Sequence, residues 1–351
     1  WTAAGENRQA IVRRFPLGPV LGITPFNYPL NLGSHKLAPA IAAGNSFILK
    51  PAPETPLSSI IMAEMALAAG YPAEALSLIV CRDDQAEQLA KDPRIAFLSF
   101  TGSSAVGWHL KNVCGRKRIG LELGGNAAAI VHEDANLDYA VSRITMGGFT
   151  NAGQNCISVQ RVMLHHPIYN ETLAKLLNKI SALKVGDPRE DDTVVGPMIH
   201  EEAAHRAMQT VLEAVEQGAQ IVMGGQGKGT MFQPTVLTDT TPDMRVNREE
   251  IFAPVITVCA YDDFDEAIRL ANSTDYGLQS GVFTQDMNRI MQAFEAIEVG
   301  GLQINDVSTF RIDQMPYGGV KGSGIGREGP RYAIEEMTEM KLMVLNLSGG
   351  K

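Results

Sequence analysis

The chain has 351 residues, 45% of them hydrophobic, and its 30 basic and 39 acidic side chains leave a net charge of −9. That is apolar material for two cores of ordinary domain size. The acidic balance, with no run of Lys or Arg long enough to track phosphates, excludes nucleic acid as an expected partner. Four cysteines, Cys81, Cys114, Cys156 and Cys259, lie apart, without the spacings of a disulfide framework or a zinc site. No histidine pairs with another ligand at metal-binding spacing within one helix or loop, so no metal is expected. No apolar stretch approaches the ~20 residues of a membrane helix, and the first residues do not read as a signal peptide. The expectation is a soluble, cytoplasmic protein with no membrane partner.

From Pro19 short apolar runs alternate with amphipathic stretches: Pro19–Thr24, Leu32–Ala43, Ser46–Lys50, Leu57–Ala69 and Leu76–Val80. Gly44 and Gly70 close the two helices, and Pro72 follows the second as a stop. Ile95–Phe100 then reads as a buried strand, Ser103–Val113 as its helix and Arg118–Leu123 as the next strand. Such alternation predicts an α/β fold with a doubly wound parallel sheet. After Gly125 a second α/β domain begins with strand Ala127–Val131 and a helix marked by Leu137, Ala140, Val141 and Ile144. Further helices are predicted around Leu173–Ile180 and Met208–Val215. Strands follow at Gln220–Met223, Ile256–Ala260, Ser280–Thr284 and Gly301–Asn305, and the tail Glu339–Leu347 is strand-like.

Several segments carry chemistry. In Phe100-Thr-Gly-Ser-Ser-Ala-Val-Gly107 a strand feeds a helix whose N-terminus, at Gly102 and Ser103, suits a phosphate, although a plain turn is the commoner role of this pattern. Lys50 ends a strand at the sheet edge where open α/β folds bind ligands, but a surface lysine reads the same way. Cys156, in Gly153-Gln-Asn-Cys-Ile157, is a nucleophile or an inert buried thiol. Glu122 stands where the two expected domains meet, as a base or a salt-bridge partner, and Asn27 offers an amide to an oxyanion or to its own turn.

Taken together in this order, Asn27, Lys50, Gly102-Ser103, Glu122 and Cys156 resemble the aldehyde dehydrogenase superfamily, over essentially the whole chain. Pro25-Phe-Asn-Tyr-Pro29 looks like that family's oxyanion motif, Lys50-Pro51 its ribose lysine, Leu121-Glu-Leu-Gly-Gly125 its general-base motif and Gly153-Gln-Asn-Cys156 its nucleophile motif. Glu249-Glu-Ile-Phe252 resembles the segment that holds the nicotinamide ribose and ring. The resemblance implies a Rossmann-like cofactor domain, an α/β catalytic domain and a small β oligomerisation arm. It further implies oxidation of an aldehyde to a carboxylic acid with NAD or NADP, through a thiohemiacetal and thioester on Cys156, with Glu122 as base and Asn27 as oxyanion donor. Cofactor contacts fall on Thr24, Pro25, Phe26, Lys50, Pro53, Gly102, Ser103, Val106, Leu123, Gly124, Glu250 and Phe252. Substrate contacts fall on Tyr28, Phe149, Ile157, Phe310 and Arg311.

Pro53 stands where NAD-preferring members often carry a Glu, which leaves NADP use open. Arg311 suits an anionic aldehyde, and the surrounding wording is similar to the branch holding lactaldehyde and non-phosphorylating glyceraldehyde-3-phosphate dehydrogenases. The implied organisation is an arm over 1–15, a cofactor domain over 16–123, a catalytic domain over 124–318, a return segment over 319–338 and an oligomerisation strand over 339–351. Compared with family chains the N-terminal part of the cofactor domain is short, and a longer natural protein is expected. Residues Glu6–Arg14 are expected to pair with the tail Met340–Leu347 of a partner subunit in a homodimer or homotetramer. A CoA-acylating semialdehyde dehydrogenase is disfavoured by Glu122. A catalytically silent oligomer-forming remnant is the third reading, marked by absence of nucleotide binding and thiol reactivity.

Overall fold

The alternating pattern becomes two separate sheets in a computed structural model of the chain, which describes residues 2–348. Two compact units result. The first is built from the chain up to Leu121, from Asp313–Pro316 and from Gly326 onward; the second from Glu122–Ile312 and Tyr317–Ile325. The unit boundaries thus lie at 121/122 and within 312–326, against expected divisions at 123/124 and 318/319. The parts of the expected arm and tail at residues 1 and 349–351 lie outside the described residues.

In the first unit the elements run β1 (Arg8–Pro16), β2 (Val20–Ile23), α1 (Pro29–Ala42), β3 (Phe47–Lys50), α2 (Leu57–Ala68), β4 (Leu76–Leu78), α3 (Asp83–Lys91), β5 (Phe97–Thr101), α4 (Ser104–Val113) and β6 (Arg118–Glu122). Glu122, the last residue of β6, already belongs to the second unit. The sheet order β6-β5-β2-β3-β4 shows that the chain winds outward from β2 through β3 and β4, then returns to the other side of β2. Strands β5, β2, β3 and β4 are parallel. Their apolar side chains Val20, Phe47, Leu49 and Phe97 close on Leu37 and Ala40 of α1 and Ala63 of α2. The order reverses between β2 and β5, and in open parallel sheets such a point leaves a crevice beyond the carboxyl ends of the strands.

The second unit starts from β7 (Ala127–Val131), α5 (Leu137–Phe149), β8 (Val159–His165), α6 (Tyr169–Ser181), α7 (Glu201–Glu216) and β9 (Gln220–Met223). Its seven-stranded sheet runs Gly301–Ile304, Gln279–Phe283, β7, β8, Val255–Tyr261, Thr235–Thr238, β9, parallel except for the last pair. Side chains alternate across it as the pleat requires. Ala129 and Val131 of β7 and Val162 and Leu164 of β8 join one core with α5, α6 and α7. Ala128, Ile130 and Met163 join the opposite core with helices Phe264–Asn272 and Met287–Ala296. Burial on both faces explains why β7 is uniformly apolar.

One expectation is corrected. Strand β1 pairs antiparallel with the chain's own tail, Thr338–Asn346, from Arg8↔Asn346 to Pro16↔Thr338, and not with that of a partner. Both strands belong to the first unit and start side by side, where Arg14 Nη1 donates to Thr338 Oγ1 at 3.1 Å, so the tail of the same chain is within reach. The ribbon is exposed along β1 and from Glu339 onward. Side chains of metal-ligating type, His132, Glu133 and His165, come together at the carboxyl ends of β7 and β8. Among the described residues no helix is long and apolar enough to cross a membrane.

Candidate active site

In the first unit the proposed cofactor residues gather at the carboxyl edge of the sheet. Ile23 is the register partner of both Lys50 and Phe100, so Thr24, Lys50 and Thr101 end adjacent strands. Lys50 is 3% exposed and its Nζ lies 3.3 Å from Oδ1 of Asp83, whose own side chain is almost fully in solvent. The hydroxyls of Thr24 and Thr101 are buried with no hydrogen-bond partner among the described residues. Buried polar atoms are normally paired, so this row of two hydroxyls and one ammonium fits a ligand rich in hydroxyl and phosphate oxygens. Pro25, Phe26, Asn27 and Tyr28 form the loop after β2, held to the loop after β3 by Thr55 Oγ1 donating to the Phe26 carbonyl at 3.3 Å. Gly102 and Ser103 open α4, where Ser103 makes no side-chain cap bond. Val106 is exposed on that helix, and Pro53 sits in an exposed turn.

In the second unit the candidate reacting residues sit at the amino ends of strands. Glu122, Leu123 and Gly124 precede β7, Cys156 and Ile157 precede β8, and Glu250 and Phe252 precede Val255–Tyr261. Close approach explains the glycines. A Cβ on Gly125 would stand 2.1 Å from the Cys156 carbonyl oxygen, and one on Gly124 would stand 2.4 Å from the Glu250 carboxylate. Gly125 N–H donates to Glu250 Oε1 at 2.9 Å. The loop before Cys156 is itself distorted: Asn151, Ala152 and Gly153 all have positive φ, near 55°, 54° and 67°. For Asn and Ala this is strained backbone of the kind that accumulates at functional loops. Gly153 has no alternative, since its Cβ would meet the Ala253 carbonyl oxygen at 2.1 Å.

The Cys156 thiol packs with Ile157, Leu278 and Tyr317, and Tyr317 Oη lies 3.3 Å from Sγ. Asn155 Oδ1 accepts from Ile157 N–H at 3.2 Å, while the Cys156 N–H donates to no acceptor among the described residues. Burial is the main reason that the thiol is pushed up to about 12; Glu250 and Glu122 add to the shift, whereas the Tyr317 hydrogen bond and Arg311 oppose it. Burial also pushes Glu250 up to about 7, against the Gly125 hydrogen bond. Arg311 lays its guanidinium over the Tyr317 ring at 3.7 Å. A cation stacked on a ring whose hydroxyl touches the thiol forms a chain Arg311, Tyr317, Cys156. Phe310 is 40% exposed beside it.

Phe149 departs from expectation. It is fully buried in the core with Ala152, Val159 and Ile256 and presents no surface to a substrate, because it ends α5 on the side facing the sheet. Tyr317, Thr101 and Asp83 are the functional neighbours that the sequence did not single out. Thr101 and Tyr317 lie inside motifs already noted, but only their contacts in the fold give them a role.

The chain matches the model of the aldehyde dehydrogenase family over residues 2–343. It is 48% identical over 343 residues to a 3-sulfolactaldehyde dehydrogenase of Priestia aryabhattai, covering 97% of this chain and 72% of the relative. Among solved structures it resembles aldehyde dehydrogenase 21 of Physcomitrella patens in complex with the reaction product succinate. There the TM-score is 0.97 at 44% identity, over 100% of this chain and 73% of the other. A glyceraldehyde-3-phosphate dehydrogenase of Methanocaldococcus jannaschii complexed with NADP gives a TM-score of 0.94 at 40% identity, over 97% and 75% of the two chains.

Proposed function

This chain belongs to the aldehyde dehydrogenase family, as an NAD(P)-dependent oxidoreductase acting on the aldehyde group, and from that premise we propose that its substrate is a small aldehyde carrying an anionic group. The observation that carries this reading is Arg311, a cation held over Tyr317 beside the thiol. A guanidinium recognises carboxylate, sulfonate and phosphate alike. The three relatives named above act on, or hold, a sulfonated, a carboxylated and a phosphorylated compound, which supports the same class.

The proposed chemistry starts with Cys156. Its thiolate forms a C–S bond to the aldehyde carbon, and the carbonyl electron pair moves onto oxygen. The Cys156 N–H, which has no other acceptor among the described residues, is one oxyanion donor. Asn27, by family resemblance, is the other. When bound, NAD or NADP supplies the hydride acceptor that turns the thiohemiacetal into a thioester. Glu122 then removes a proton from water, whose oxygen attacks the thioester carbon and expels the Cys156 thiolate, releasing the carboxylic acid. Lys50, Thr24 and Thr101 would hold the cofactor's ribose and phosphate oxygens, with Glu250 and Phe252 at the nicotinamide end. The exposed ribbon of β1 and Thr338–Asn346, carrying Val12, Met340 and Leu342 at about 60% exposure, supports assembly into a homodimer or homotetramer.

The test follows reduced nicotinamide by absorbance with NAD and NADP separately, over neutral aldehydes and aldehydes bearing carboxylate, sulfonate or phosphate. Anionic aldehydes are expected to give the higher kcat/KM, and Cys156→Ala to lower activity by about 10⁴-fold or more. A preference for neutral aldehydes would overturn the substrate class. Retained turnover in the Cys156 variant would overturn the thioester route.

A further inference from the structure

At the carboxyl ends of neighbouring strands of the second unit lies a side-chain cluster that aldehyde oxidation does not use. Val131 of β7 is the register partner of Leu164 in β8, and His165 is the partner of Tyr261. His132, His165 and Tyr261 therefore stand abreast. The two imidazoles stack with centroids 4.2 Å apart and planes 16° from parallel. His132 is only 3% exposed.

Hydrogen bonds indicate which ring nitrogens carry hydrogen. Tyr261 Oη donates to the Val131 carbonyl at 3.3 Å, so toward His132 Nδ1, 2.9 Å away, it accepts. That leaves His132 Nε2 as a bare lone pair, buried and with no hydrogen-bond partner among the described residues. His165 Nε2 donates to the Asp262 carbonyl at 3.2 Å, which leaves His165 Nδ1 bare, 3.7 Å from Glu133 Oε2. One ligand atom from each of His132, Glu133 and His165 lies within 4.8 Å of the others.

We propose that His132 Nε2, His165 Nδ1 and the Glu133 carboxylate form a binding site for a divalent transition metal ion of the zinc type. Two imidazoles and a carboxylate are a donor set that zinc takes, whereas calcium and magnesium ask for more oxygen ligands. The outer bonds, one ring N–H to a tyrosine hydroxyl and one to a backbone carbonyl, are those that orient metal-binding histidines. Ligand atoms around a tetrahedral zinc at ~2.1 Å stand roughly 3.4 Å apart. Glu133, with its side chain 51% exposed, is free to close that gap. Arg289 opposes a cation here, but it is engaged by Asp286 at 3.1 Å and Asp134 at 3.9 Å. The ion ties the end of β7 to the end of β8. Cys156 lies beyond the other end of β8, about 20 Å along the strand at ~3.3 Å per residue, so the role is structural.

The experiment titrates zinc into the full chain by calorimetry, with melting temperature as a second readout, for wild type, Glu133→Gln, His165→Phe and Cys156→Ser. Expected is one zinc per chain in wild type and in Cys156→Ser, with a rise in Tm. Glu133→Gln should weaken binding at least tenfold. His165→Phe, which keeps a ring in the stack, should lose this equivalent while its metal-free circular dichroism matches wild type. If His165→Phe does not fold, Glu133→Gln decides. Identical titrations in wild type and Glu133→Gln, or binding lost in Cys156→Ser, would overturn the site.

Discussion

The two units use the same architecture from opposite ends. In the first, the candidate ligand contacts Thr24, Lys50 and Thr101 sit at carboxyl ends of parallel strands, where strand order reverses. In the second, Glu122, Cys156 and Glu250 sit on segments that enter strands at their amino ends, and the carboxyl ends carry His132 and His165. The first arrangement follows from topology, since a reversal point opens a crevice whatever side chains line it. The second depends on local backbone: three left-handed residues before Cys156, and glycines that let Gly125 meet the Cys156 carbonyl and Gly153 meet that of Ala253. Binding inherited from topology should tolerate substitution better than chemistry built on close backbone approach.

The largest expected effect tests that contrast directly. Gly125→Ala forces the Cys156 backbone aside and should lower kcat by about 10²-fold, as a displacement near 1 Å does. Cofactor affinity by fluorescence titration should stay within about twofold, because no contact in the first unit changes; an equal loss of both would break the comparison. Next, Arg311→Gln should raise KM for an anionic aldehyde about 20-fold, corresponding to ~1.8 kcal/mol for a charge-assisted contact, and leave neutral aldehydes nearly unchanged.

Lys50→Met, in the topological crevice, should weaken cofactor binding about tenfold while alkylation of Cys156 by iodoacetamide keeps its rate. The smallest effect is on stability. Burial raises Glu250 from its ordinary 4.5 to about 7, so the folded state holds that proton more tightly than the unfolded chain. Its contribution favours folding below about pH 4.5 and is lost as pH rises through 7. Glu250→Gln should therefore melt close to wild type at pH 5 and a few degrees higher at pH 8, by on the order of 2 kcal/mol. The reverse order of melting temperatures would mean that the carboxylate is stabilised where it lies.

Elements with strong apolar periodicity were legible in the sequence, and Ala127–Val131 and Gln220–Met223 coincide end to end with β7 and β9. Strand β8 was not, because Gln160 and Arg161 interrupt its apolar run. In the fold both are buried, and Arg161 donates to Asn126 Oδ1 and to the carbonyls of Leu270 and Ala271. Helix α3 escaped notice since it buries only Ala86 and Ala90. The segments around Asn27, Lys50, Glu122, Cys156 and Glu250 were legible as family motifs. The Arg311, Tyr317, Cys156 chain was not, as it depends on ring stacking across sequence. Nor was the pairing of His132 with His165, which lie at the ends of two strands joined through α5 and meet only in the register of a parallel sheet.

The protonated state of Cys156 has a consequence for the lifetime of the enzyme. Peroxide attacks thiolates, and the ladder from sulfenic to irreversible sulfinic and sulfonic acids begins there. With its pKa pushed up to about 12 by burial and two carboxylates, Cys156 stays a thiol at neutral pH. The low dielectric around the Cys156 thiol thus disfavours its oxidation in the resting chain.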